Sequence, residues 1–176
     1  MIIRTAQPTE LGCLAGIERE AGTLFPPGRV PDPAATMPRH ELEAALAADL
    51  LFVAIEQEAP AGFAVCEVVD GYLYLAELSV HPAHGRRGIG RRLVEHVVAV
   101  CRSRALAGVT LTTFADMPWN APFYRRLGFV DDAHANELTH VREHVRAETA
   151  AGMSHRIGML LALPAEAPQD DAPGTR

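Results

Sequence analysis

"LAELSVHPAHGRRGIGRRLVEHV", residues 75–97, runs from an apolar stretch through a turn punctuated by Pro82, Gly85, Gly88 and Gly90 into a second apolar pattern. The first part predicts a strand over 72–80. In the second, Ile89, Leu93, Val97, Val100 and Cys101 recur at helical spacing opposite Arg92, Glu95 and Arg102, which predicts an amphipathic helix over 88–106. At such a junction the first backbone N–H groups of the helix have no carbonyl partners and the helix dipole is positive, so anions bind there. Gly88 and Gly90 lack a Cβ and would let an anion approach the backbone, while Arg86, Arg87 and Arg91 supply forked cationic donors. Glycines that serve only a tight turn give the same spacing. A dinucleotide-binding fingerprint would need a further glycine where Leu93 stands.

Charge supports a local anion site. All 16 basic residues are arginine, which excludes a Walker A loop for want of its lysine. Residues 1–85 carry 4 Arg against 12 acids, residues 86–126 carry 8 Arg against 2, and residues 127–176 carry 4 Arg against 8. A basic island within a chain of net charge −6 suits one polyanionic ligand better than a nucleic-acid surface, so no nucleic-acid partner is expected. A solvated arginine-rich helix face explains the same charges. No apolar run approaches the roughly 18 residues that span a bilayer, and the expectation is a cytoplasmic protein without a membrane partner. Cys13, Cys66 and Cys101 are odd in number and widely spaced, so neither a disulfide framework nor a zinc knuckle is indicated.

Working outward, a short strand is expected at 2–5 and a helix over 8–21, followed by a Pro/Gly-rich loop over 22–38 and a helix over 39–49. Strands over 50–55 and 62–69 are separated by a turn near Ala59-Pro60, and Asp70-Gly71 marks the next hairpin. The middle of the chain therefore reads as an antiparallel meander. After the 88–106 helix, a strand over 109–114 must run parallel to its predecessor if the helix crosses over between them. A short helix over 118–127, a strand beginning at Phe129-Val130, a polar helix over 136–151 and a strand over 156–163 complete a single domain, 1–163. Residues 164–176, rich in Pro, Ala and acids, are expected to form a disordered tail.

The opening stretch, followed some thirty residues on by "WNAPFYRRLGF" (119–129), resembles the GNAT superfamily of acetyl-coenzyme A dependent N-acetyltransferases. The first motif is similar to that family's pyrophosphate element, [Gln/Arg]-x-x-Gly-x-[Gly/Ala], with Gly88 and Gly90 at the small positions and a departure at Gly85, where Gln or Arg is usual. The second is similar to its Asn…Ala…Phe-Tyr…Leu-Gly-Phe signature. The resemblance implies an α/β fold with a mixed, mostly antiparallel central sheet flanked by helices on both faces. It also implies acetyl-coenzyme A as co-substrate, no metal, a small-molecule or peptide primary amine as acceptor, and a homodimer as the family habit. Direct attack of the amine on the thioester would pass through a tetrahedral intermediate.

The same resemblance places the backbone of Leu78 and Val80 along the pantetheine arm, and Arg86, Arg87, Gly88, Ile89, Gly90 and Arg91 around the diphosphate. Asn120 would hydrogen-bond cofactor or backbone, or else simply cap a helix start. Tyr124 matches the general acid beside the sulfur, a phenol being protonated at neutral pH with its ordinary pKa of about 10. Glu77, in an otherwise apolar strand, is the candidate base because burial raises a carboxyl's pKa, with His81 a weaker alternative. Glu18 and Glu20 on the first helix suit a cationic acceptor, with Phe25 in the loop after it as an apolar wall, and a solvated helix face explains the two glutamates equally well.

Two rival readings follow from the residues. "HVREH", 140–144, satisfies the His-x-x-Glu-His zinc pattern, so a zinc hydrolase using His140, Glu143 and His144 is an alternative. A coenzyme A binding sensor or interaction module without catalysis is another, since a fold does not fix a function.

Overall fold

The computed structural model describes residues 1–32 and 34–164, so the expected tail lies, from residue 165 on, outside the described residues. Six strands form one sheet in chain order: β1 (Ile2–Thr5), β2 (Leu51–Glu56), β3 (Ala59–Val69), β4 (Tyr72–Val80), β5 (Gly108–Phe114) and β6 (Arg156–Ala162). Every neighbouring pair is antiparallel except β4 and β5, which run parallel, as the crossover reading requires. The crossover is α3 (Ile89–Ser103), the helix predicted from the opening stretch.

Helices cover both faces. Ile89, Leu93, Val94, Val97 and Cys101 of α3 pack with Phe52, Ala54, Leu73, Leu75, Val109 and Leu111 of the sheet. The short α4 (Ala121–Arg126) joins this core through Ala121 and Tyr124. On the opposite face, α1 (Leu11–Gly22) and α2 (Arg39–Ala47) bury Leu11, Leu14, Ile17, Leu42 and Ala45 against Leu51, Val53, Phe63 and Val65. Strand β2 thus alternates between two cores and is apolar throughout Leu51–Ile55, as a strand buried on both faces must be. Each such Leu, Val or Phe side chain removed from water contributes about 1.5–3 kcal/mol.

The boundaries moved where local chemistry outweighed pattern. The β2–β3 turn is Gln57-Glu58, both left-handed (φ 51° and 66°), while Pro60 lies inside β3 at a register shift, where a residue without an N–H is tolerated. The helix expected over 8–21 begins with one 3-10 turn, Pro8–Glu10. The strand expected at Phe129-Val130 is a single bridge, Val130 to Leu160. The polar helix expected over 136–151 is two helices, α5 (Ala133–Glu137) and α6 (Thr139–Ala150), broken at the extended Leu138. The break follows from Asp132, whose carboxylate accepts from Ala135 N at 2.9 Å and so starts a separate helix.

Two irregularities open the sheet. Val65 pairs with Glu77 but Cys66 pairs with Leu75, so Ala76 is an unopposed extra residue, a β-bulge in β4. Next to it, pairing with β5 stops. Only Leu73, Tyr74 and Leu75 face Val109, Thr110 and Leu111, while Glu77–Val80 continue along β3 and Thr112–Phe114 along β6. A cleft opens between the two parallel strands.

Candidate active site

The bulge decides which face each cleft residue occupies. Leu78 and Val80 pack against the α3 core, while Glu77 and Ser79 share the face of Tyr74. Ser79 Oγ donates to Glu77 Oε1 at 2.7 Å. Burial pushes the Glu77 carboxyl above its ordinary range, and the Ser79 hydroxyl, the Arg156 guanidinium and the Leu78 N–H partly offset that. The backbone of the strand is oriented equally clearly. His81 N donates to Ala61 O at 2.9 Å, and the alternation of an antiparallel ladder then turns the amide groups of Leu78 and Val80 away from β3, toward the edge that β5 leaves open.

Across the cleft, Tyr124 of α4 is 9% exposed and packs edge-on to Phe123 and Phe129. Burial, and secondarily the charge of Glu77, pushes its phenol well above the ordinary value, so it is protonated at neutral pH. Asn120 occupies the first position before α4, yet makes no capping hydrogen bond. Its Oδ1 is buried without a partner, so it can accept from an amide N–H entering the cleft.

The loop between β4 and α3 is built as the anion reading requires. Gly88 is left-handed (φ 80°) and offers no side-chain cap to α3, so the N–H groups of Ile89, Gly90 and Arg91 have no partner within the helix. A Cβ at Gly90 would meet side-chain carbons of Phe123 and Val80 at 3.7 Å, an ordinary contact, while at Gly88 it would meet no protein atom within 4 Å. Gly85 has a steric reason: a Cβ would come 3.0 Å from the Pro82 carbonyl. The three arginines differ. Arg87 Nη1 pairs with Glu56 at 2.9 Å and Arg91 Nε with Glu95 at 2.7 Å, while Arg86, left-handed at φ 60°, has no ion pair among the described residues. These backbone donors, the unpartnered Asn120 oxygen and the open edge of β4 fit a long ligand with an anionic diphosphate and an amide-bearing arm.

On the acceptor side, Glu18 of α1 takes hydrogen bonds from Met37 N to both oxygens, at 3.0 and 2.9 Å. Burial first, then the charge of Glu77, raises its carboxyl to about 7, with Glu41 adding and the Met37 N–H opposing. Glu20 is exposed and stands apart. Phe25 packs on Phe114 and Trp119 at ring distances of 5.3 and 6.1 Å.

Sequence reasoning passed over Arg156 at the head of β6. Its guanidinium binds both oxygens of Glu148 at 2.7 Å, donates to Thr112 at 3.0 Å and lies 4.6 Å over the Phe114 ring. A lone arginine at the start of an apolar strand was the available signal. His81 is a turn residue, its Nδ1 accepting from Ala83 N at 3.2 Å. The zinc alternative is not assembled: His140, 5% exposed, bonds Thr110 at 3.0 Å, His144 stacks on Tyr74 at 4.2 Å, and Glu143 is exposed. Among the described residues no group of three His, Cys, Asp or Glu could hold a metal ion, and no helix is long and apolar enough to cross a membrane.

Comparison with known proteins agrees with this geometry. Residues 17–129, more than half of the chain, match the family described as Acetyltransferase (GNAT) family. The ribosomal protein bS18-alanine N-acetyltransferase of Salmonella typhimurium is 33% identical over 104 residues, a match spanning 59% of this chain and 64% of that relative's length. The crystal structure of the Escherichia coli ribosomal-protein-S18-alanine N-acetyltransferase superposes with a TM-score of 0.65 at 22% identity, covering 97% of each chain. The PaiA N-acetyltransferase of Thermoplasma acidophilum, solved in complex with coenzyme A, gives 0.71 at 14% identity, covering 92% of this chain and 98% of that one.

Proposed function

Because this chain belongs to the Acetyltransferase (GNAT) family, we propose that it transfers an acetyl group from acetyl-coenzyme A to a primary amine by direct attack. The observation that carries the proposal is the cleft between β4 and β5, which has a buried carboxyl on one wall and a buried phenol on the other. Acetyl-coenzyme A bound there supplies an activated thioester carbonyl.

The residues then divide the work. The N–H groups at the start of α3 and Arg86 hold the diphosphate, and the open edge of Leu78 and Val80 pairs with the amide-bearing arm. An amine arrives as an ammonium and must lose a proton before it attacks. Glu77 takes it in this reading, because burial makes its carboxylate more basic, a shift that Ser79 and Arg156 partly offset. A backbone N–H of the splayed strand near Leu78, one not taken up by the arm, faces the charge that develops on the carbonyl oxygen. Tyr124, kept protonated by burial, gives its proton to the leaving thiolate. Glu18, whose carboxyl is raised to about 7, adds negative potential on the acceptor side as it ionises above that pH, and so favours a cationic amine.

The test is release of free thiol from acetyl-coenzyme A against a panel of polyamines, amino-acid derivatives and short peptides, including one that begins with alanine. Acceptor-dependent release supports the assignment. Tight coenzyme A binding with no release for any amine would instead support the sensor reading.

A further inference from the structure

One carboxylate outside the cleft holds the anion loop in shape. Glu56, the last residue of β2, sits two strands away from β4. Its Oε2 accepts from His84 Nδ1 at 2.8 Å and pairs with Arg87 Nη1 at 2.9 Å. These two partners flank Gly85 and Arg86, the stretch where the chain must turn from the 3-10 segment Pro82–His84 into the left-handed Gly88 that opens α3. Arg86 itself is left-handed, a conformation in which an L side chain crowds its own backbone, so its neighbours have to hold it there. The adjoining strand supplies a second anchor, since His81 N donates to Ala61 O of β3. The loop is therefore pinned at its start by β3 and around its sharpest bend by β2.

We propose that Glu56 is a positioning residue for the diphosphate site: by clamping His84 and Arg87 it fixes the backbone between them. The clamp fixes the loop beside position 85, where a Cβ would press on the Pro82 carbonyl at 3.0 Å and the chain carries glycine instead of a long side chain. It also sets the division of labour among the arginines, with Arg87 bracing the loop and Arg86 left for the ligand. The inference rests on the cleft being a coenzyme A site, but it concerns only that half of the ligand which carries the diphosphate.

Two donors separate the outcomes. S-acetylpantetheine has the thioester and the amide-bearing arm but no diphosphate. Glu56→Ala is expected to raise the KM for acetyl-coenzyme A on the order of tenfold with kcat little changed, and to leave kcat/KM for S-acetylpantetheine as it was. Glu56→Gln keeps an acceptor oxygen and should recover part of the loss. Calorimetric titration of coenzyme A into the same variants reads the clamp without turnover, so a failed amine assay and a failed clamp are distinguishable. Equal losses with both donors in a variant that melts like the parent, or unchanged coenzyme A affinity in Glu56→Ala, would overturn the proposal.

Discussion

Arg156→Met removes one half of an ion pair that is largely shut away from water, the side chains of Arg156 and Glu148 being 11% and 20% exposed. Glu148 then loses two charge-assisted hydrogen bonds and keeps one, from Thr112 at 2.8 Å. Stranding a buried charge in this way costs about 3–5 kcal/mol, and the residual exposure argues for the lower end, about 3 kcal/mol. For a chain of this size that is a fall in Tm of about 6–12 °C. Removing both charges with Arg156→Met and Glu148→Leu together should cost less than Arg156→Met alone, because no ion is left unpaired. Guanidinium unfolding of the two single variants and the double variant closes the cycle, with a coupling of about 2 kcal/mol expected. The same substitution reports on the cleft. Arg156 holds the Glu77 carboxyl down, so without it the acid limb of the pH–rate profile should move to higher pH. Additive costs within about 0.5 kcal/mol, or an acid limb that stays in place, would refute the reasoning.

Tyr124→Phe should lower kcat by about 10²–10⁴ with coenzyme A affinity nearly intact, read by steady-state kinetics and calorimetry; equal turnover would remove the phenol as the acid. Glu77→Gln should abolish the limb of the pH–rate profile that rises as its carboxyl ionises, and a superimposable profile would shift the assignment of base away from it. Glu18 gives a stability signature. Its folded pKa of about 7 lies above its ordinary 4.5, so the native state binds that proton more tightly than the unfolded chain and loses stability as pH rises between those values. Glu18→Gln should flatten the decline in Tm across that window, leaving the part owed to Glu77; an unchanged slope would show that Glu18 is not buried as described.

Features with long periods or rigid stereochemistry were readable in advance. The apolar stripe from Ile89 to Cys101 is long enough to show helical spacing, and a crossover helix leaves β5 no choice but to run parallel. Gly88 was readable for a related reason, since a glycine between a strand pattern and a helix pattern marks a turn, and it is left-handed at φ 80° just before α3. Short-range polar competition was not readable. Whether Asp132 caps a new helix or sits in the solvated face of a longer one depends on Asn136 also holding Asp132 O and Gly158 N, a residue of β6 far along the chain. The same holds for Arg156 and Glu56, whose partners Thr112 on β5 and Arg87 after β4 lie far along the chain and are brought in by the sheet.

The position of Glu77 lies between these cases. Strict alternation from Leu73 through Leu75 would carry Glu77 and Ser79 into the α3 core, where a carboxylate would stand among Leu93, Val97 and Cys66 with nothing to pair with. The extra residue Ala76 reverses the phase and delivers Glu77 to the face that holds Ser79, Tyr74 and the Arg156 network. Nothing about an alanine announces a bulge, and a strand that is apolar on both faces hides its period. The cue is instead in the spacing of the residues that reach the α3 core: Leu73 and Leu75 are two apart, Leu78 and Val80 are two apart, and the step between the pairs is three. That odd step is the sequence form of the bulge. Because β4 also parts from β5 at Leu75, the slip at Ala76 falls where the cleft begins and sets the Glu77 carboxyl beside Ser79 at its edge.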